Sequence, residues 1–315
     1  MRTNALNMEQ IKNITPGDVH NILNRTMMVD GFPLVVDLKK SQGMYLYDSQ
    51  DDRYYLDMFS FFASWALGHN HPKMNNKEFR NRISEIALHN PSNSDIYTIE
   101  MAQFVATFER VAMPDEFKHL FFIAGGGLAV ENAFKTAFDW KVRYNIAAGK
   151  GEKGHKIIYC NDAFHGRTGY TLTTTNTFNK NKIKHFTKFD WYQVENPKVR
   201  FPLEGENLIE VEAAEKRALS QIEKILVDDG DDVAGIVIEP IQGEGGDNHF
   251  RGEFLRELRR IADKYNVLLI FDEVQTGVGL TGKMWAYQHF NQQNDVDYIF
   301  KIAMKGNPQL KLALY

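Results

Sequence analysis

The chain has 315 residues, of which 43% are hydrophobic and 25% charged, which excludes a disordered chain, a collagen-like chain and a small stapled module. Lys+Arg 37 against Asp+Glu 41 leaves a net charge of −4, so nothing in the balance favours nucleic acid or anionic lipid as a partner. The length suits two domains or one large α/β unit. The single cysteine, Cys160, forms no internal disulfide and is no metal site by itself, and a reducing cytoplasm is the simplest compartment. The first residues contain no apolar core of a secretory leader, and apolar runs such as residues 267–271 are too short to span a bilayer.

In chain order, residues 1–72 read as an irregular N-terminal segment. A weak helical stretch near residues 17–25 precedes short strands at 34–38 and 44–47, and a polar turn at 48–52 leads into the strand-like run 54–57. From about Glu78 helical periodicity takes over. Ile99, Phe104, Phe108 and Val111 mark an apolar face that Pro114 ends. A buried-strand candidate at 120–123 is followed by Gly125, Gly126 and Gly127, then by a helix over 130–144. Strands at 157–159, 234–238 and 267–271 alternate with helices that begin near Val211 and around Phe254. Buried strands alternating with amphipathic helices predict a mostly parallel sheet covered on both faces.

Ligands of such sheets sit beyond the carboxyl ends of the strands, which selects four stretches: 125–127, 161–167, 239–246 and 272–275. Three glycines between a strand and a helix leave bare N–H groups at a helix N-terminus, either an anion site or simply a tight turn. No Lys-Ser/Thr pair follows, so this is not a Walker loop. Asp272 is a ligand-facing carboxylate or an ordinary turn aspartate; the neighbouring Val274 and Gln275 favour a planar polar ring as its partner. Phe164 beside Gly166 could stack on a flat ligand, and Arg167 could fork to a carboxylate, although taken alone a plain surface loop with an exposed arginine is the better explanation. Glu239 and Glu244 lie on a glycine-rich loop. Together these parts ask for a phosphate, an aromatic ring, a protonated ring nitrogen and a ring oxygen, the features of pyridoxal 5'-phosphate. They show no metal-ligand spacing.

At this point the sequence resembles the class III, fold-type I pyridoxal-phosphate aminotransferases, and within them the lysine 6-aminotransferase branch. The stretches that carry the resemblance are residues 55–72, 125–140 (GGGLAVENAFKTAFDW), 161–167 (NDAFHGR), 238–246 (IEPIQGEGG) and 271–287 (FDEVQTGVGLTGKMWAY). The resemblance implies backbone donors to the cofactor phosphate from Gly126 and Gly127, ring stacking by Phe164 with Val274 on the opposite face, an Asp272 partner for the pyridinium nitrogen, and a hydrogen bond from Gln275 to the ring oxygen. It implies that Arg167 holds the α-carboxylate of lysine, that Glu244 gates a substrate arginine, and that Glu239 is a second acid lining the substrate pocket.

The implied function is transfer of the ε-amino group of L-lysine to 2-oxoglutarate, in a cytoplasmic homodimer. Another ω-amino acid aminotransferase, for ornithine, 4-aminobutyrate or a diamine, is the alternative, and a cofactor-binding chain without catalysis is a third. The implied architecture is a fold-type I large domain over residues 73–300 with a small-domain segment at 1–72 and an atypical tail at 301–315, lacking the family's C-terminal domain. Two departures stand out. Ala124 replaces a usual glutamate, and the phenylalanine-glycine-lysine end of the cofactor-carrying strand is absent. Counting from Asp272 by the family spacing makes Lys301 the cofactor-carrying lysine; counting from Asp297 lands on Ala303, and Lys305 is the next lysine. Beyond about Phe300 the resemblance is expected to end, as in a truncated or frame-altered product.

Overall fold

The computed structural model describes residues 6–90 and 95–290. The chain divides between Phe104 and Val105 into two units, whereas the sequence pattern placed a boundary at 72/73. In the N-terminal unit, β1 (Tyr45–Asp48) pairs antiparallel with β2 (Arg53–Leu56), from Tyr45↔Leu56 to Asp48↔Arg53. The polar residues between them make the expected turn, with Asp52 at φ 53°. The expected strand at 34–38 reduces to one bridge, Val36↔Asp48. The physical reason is Asp48 itself: its carboxylate accepts the Val35 and Gln50 N–H groups, each at 3.0 Å, and so ends the ladder. The weak helical stretch is a short helix, Val19–Leu23, entered through Pro16.

The same unit contains an unusual backbone. Ser60, Phe61 and Phe62 hold positive φ values of 44°, 50° and 56°, costly for bulky L-residues. Asp57 pins this turn: its Oδ1 accepts the Phe59 and Ser60 N–H groups at 3.1 and 2.7 Å, and its Oδ2 lies 3.0 Å from His69 Nε2. Burial would raise the Asp57 carboxyl, but these hydrogen bonds and His69 outweigh it and hold it below the usual range.

In the second unit, β3 (Lys156–Cys160), β4 (Tyr192–Val194), β5 (Val233–Ile238) and β8 (Leu268–Phe271) form a parallel sheet in the order β4-β3-β5-β8. Between β5 and β8 lie the short antiparallel pair β6 (Ile241–Gln242) and β7 (Asn248–His249). The sheet is covered on both faces, as its apolar strands require. On one face Ile158, Cys160, Ile236, Ile238 and Leu269 pack with the helices Gly205–Asp229 and Gly252–Tyr265, through Ala218, Ile222, Leu255 and Leu258. On the other, Ile157, Tyr159, Val237 and Ile270 meet Val130, Phe134 and Phe138 of the helix Gly126–Ala147. Each fully buried Leu or Ile contributes about 1.5–3 kcal/mol to this sandwich.

The helices run longer than the apolar pattern suggested, because their first turns are polar or glycine. β4 escaped the sequence reading: three residues give no measurable alternation. Conversely, residues 120–123 are not in the sheet. Leu120 and Phe122 pack toward Phe108 and Trp285, while Phe121 and Ile123 face outward, so this apolar run reflects one-sided packing.

Candidate active site

The strand register builds the site. Ile238 and Phe271 are partners across β5 and β8, so the next residues, Glu239 and Asp272, leave the sheet side by side. The Asp272 N–H donates to the Ile238 carbonyl at 2.9 Å and extends the ladder by one bond. Asp272 is only 7% exposed. Its Oδ1 accepts the Val274 N–H at 3.1 Å, and its Oδ2 lies 2.8 Å from Nδ1 of the fully buried His165. Burial disfavours a charged His165, but the bond to Asp272 and the charges of Asp272 and Glu239 overcome this and raise its pKa. The other ring nitrogen, His165 Nε2, is buried without a hydrogen-bond partner among the described residues.

Glu239 is 6% exposed. Its Oε1 accepts the Phe164 N–H at 2.9 Å. Burial pushes its carboxyl up to about 7, His165 opposes that rise, and Asp272 adds to it. Glu273, next to Asp272, turns away: it accepts Thr276 Oγ1 and the Ala286 and Tyr287 N–H groups at 2.6, 2.9 and 2.8 Å and fixes the following loop.

The helix Gly126–Ala147 brings its N-terminus to the same place. Gly125 enters it at φ 99°, a conformation open to glycine. A Cβ on Gly126 would lie 2.4 Å from Val274 Cγ1, and one on Gly166 would lie 2.7 Å from the Gly127 Cα. Two close backbone approaches therefore seat the helix start against both the 272–275 turn and the 164–167 loop. The first intrahelical bond is Ala129 N–H to Gly125, which leaves the Gly126, Gly127 and Leu128 N–H groups without an acceptor among the described residues. The Gln275 side chain lies against Gly243, where a Cβ would meet it at 2.3 Å.

The geometry thus gathers Gly126, Gly127, Phe164, Glu239, Asp272, Val274 and Gln275 at one end of the sheet. Arg167 follows in the same loop, its side chain exposed and without a bonded partner among the described residues. Glu244 is tied to Thr177 Oγ1 at 2.9 Å and Lys182 Nζ at 3.1 Å. Lys301, with Ala303 and Lys305, lies outside the described residues. Sequence reasoning passed over two contributors. His165 carried no signal beyond its place between Phe164 and Gly166, since its partner Asp272 is 107 residues away. Gln242 is fully buried: its Nε2 donates to the Asn161 carbonyl at 3.0 Å, and its Oε1 accepts Asn196 and Asn248 Nδ2 at 2.7 and 2.8 Å, joining the 239–246 loop to the end of β3.

These residues fit pyridoxal phosphate. Free N–H groups at the start of a 22-residue helix suit a phosphate, and a buried carboxylate backed by an imidazole suits a protonated ring nitrogen.

Comparison with known proteins agrees with this chemistry. The profile of the family "Aminotransferase class-III" matches residues 26–311, so the match continues past Phe300, where the sequence reading expected it to end. An L-lysine-epsilon aminotransferase of Mycobacterium tuberculosis is 48% identical over 284 residues, covering 90% of this chain and 62% of that protein. One from Streptomyces clavuligerus is 40% identical over 287 residues, covering 91% and 62%. A solved structure of the M. tuberculosis lysine aminotransferase superposes with a TM-score of 0.84 at 48% identity, over 88% of this chain and 63% of that one. The chain therefore spans about 62% of the length of the relatives it matches.

Proposed function

The chain belongs to the class-III aminotransferases with their fold-type I architecture, and from that premise we propose that its second unit holds pyridoxal 5'-phosphate and that the protein transfers the ε-amino group of L-lysine to 2-oxoglutarate, giving 2-aminoadipate 6-semialdehyde and glutamate. The observation that carries the reading is the convergence of the Gly126 helix start on Val274 and Asp272. When bound, the cofactor supplies an electron sink for the carbon that bears the amine.

The chain's own residues do the rest. The Gly126 and Gly127 N–H groups bind the phosphate at the positive end of the helix dipole. Asp272 keeps the ring nitrogen protonated, and His165 fixes the carboxylate's orientation through its Oδ2. Phe164 and Val274 hold the two faces of the ring, and Gln275 donates to its phenolic oxygen. Arg167, exposed and without a bonded partner among the described residues, would orient the substrate by its α-carboxylate, so that the ε-amine, not the α-amine, meets the reacting carbon. Glu244 would be the acid that gates a substrate arginine, and Lys301 would carry the cofactor and move the proton.

We assign the protein to the cytoplasm as a homodimer. No described helix is long and apolar enough to cross a membrane. The apolar run of the N-terminal unit supports the dimer: Met58, Phe62 and Leu67 stand 84%, 73% and 64% exposed close to the Asp57-pinned turn, apolar surface that a second copy would cover. Light scattering tests this, and an active monomer counts against it. The test of function is lysine-dependent glutamate formation with added cofactor, measured against cadaverine, ornithine and 4-aminobutyrate. Lysine should be turned over fastest; preference for an amine without an α-carboxylate contradicts the reading.

A further inference from the structure

Glu239 is a buried acid, 6% exposed, with no side-chain cation bonded to it among the described residues. Strand register sets it beside Asp272, and its Oε1 is bound to the Phe164 N–H. His165, the next residue, is bonded to Asp272 through Nδ1, held by its own N–H to Thr175 Oγ1 at 3.0 Å, and feels the charge of both acids. Among the described residues the other ionisable neighbours are Cys160, whose thiol burial and Glu239 push up to about 12, and Glu273, raised by burial and by Asp272. Three groups with so little access to water share protons instead of titrating independently. With two protons the trio carries one negative charge, on Asp272 alone or with Glu239 ionised and His165 cationic; loss of one proton makes it doubly negative.

We propose that Glu239 is a positioning residue for the cofactor: it holds the Phe164 backbone and, through His165, sets the charge that Asp272 presents to the ring, and it does not contact the substrate. The inference rests on the cofactor reading above. The geometry supports it, since Oε1 is committed to the Phe164 N–H at 2.9 Å and strand register sets the acid beside Asp272. Glu244, five residues on, is partly exposed and paired with the cationic Lys182, as a substrate-responsive acid needs.

Two measurements test it, the first without cofactor. In the full chain labelled with 15N-histidine, one of ten histidines, identified by its loss in His165→Gln, reports on the trio. Its ring signals should show a step near pH 7 that the coupled trio shares through Glu239, with Nδ1 protonated on both sides of it. The step should vanish in Glu239→Gln, which keeps the acceptor for Phe164. No step in the unmodified chain, or an unchanged step in the variant, overturns the proposal. In the loaded protein, Glu239→Gln should move the midpoint of the cofactor's pH-dependent absorbance down by about half a unit or more. The variant's kcat should fall about fivefold or more while KM for lysine stays within about twofold. A raised KM at unchanged kcat makes Glu239 a substrate ligand and overturns the proposal. Failure of the unmodified chain to take up cofactor overturns the cofactor reading, and the histidine titration still decides whether the trio is coupled.

Discussion

At the strand ends Asp272, His165 and Glu239 are each less than a tenth exposed and bonded to neighbours, whereas Val274 and Arg167, only two residues along the chain from Asp272 and His165, stand at the surface. The difference follows from solvation. A buried carboxylate must be satisfied by the protein, so register and hydrogen bonds fix its position before any ligand arrives. A surface arginine is satisfied by water and takes its final position from the group it binds. On the proposed function, the inner wall would govern the electronics of the cofactor and the rim which amine is held.

Changes to the inner wall should act on the chemical step. Asp272→Asn keeps shape but removes the charge that retains the ring proton. In steady-state assays turnover should drop by at least about a hundredfold, the scale of losing one preorganised electrostatic contact. Cofactor affinity should fall less. Turnover near the unmodified rate would place the ring elsewhere.

Next in size is a pH effect on stability. The folded Glu239 holds its proton up to about 7, against 4.5 for an ordinary glutamic acid. Between those values the folded state binds more protons than the unfolded state, so its stability falls as pH rises, by roughly 3 kcal/mol over the window. Urea unfolding across that window should show a shallower decline for Glu239→Gln. Some slope should remain, because Glu273 is raised in the same sense by burial. An identical slope in both proteins would mean that Glu239 is solvated.

The rim should behave otherwise. Arg167→Ala should cost about 1.5–3 kcal/mol in kcat/KM for lysine, the worth of a charge-assisted hydrogen bond, and little for cadaverine. Equal losses for both amines would deny Arg167 its carboxylate. The smallest effect is expected at Val274→Thr, whose side chain is 54% exposed: stability should change by no more than about 0.5 kcal/mol by thermal melting. A larger loss would mean that its packing on Gly126 holds the helix start in place.

The sheet was legible because β3, β5 and β8 are buried on both faces and read as unbroken apolar runs. β4 was not, and residues 120–123 misled, because three residues or a one-sided run give periodicity nothing to act on. In the site, Asp272 and the glycines were legible from their place after a strand or before a helix. The Asp272–His165 bond was not, since contact between residues far apart in sequence is decided by the strand order β3-β5-β8, which no local pattern contains. The role of Glu239 was hidden for the same reason: its acid could be read, but not the Phe164 N–H that it accepts. Lys301 lies outside the described residues, and its role rests on spacing from Asp272.

The central claim is that the glycine helix start and Asp272 form one cofactor site. Titrating the full chain with pyridoxal phosphate, followed by absorbance and then borohydride reduction and peptide mapping, tests it most directly. Saturation at one cofactor per chain is expected, with attachment at Lys301 and weakened uptake in Gly126→Val, where the new side chain would strike Val274. Absence of saturable uptake, or full uptake with Gly126→Val, would contradict it.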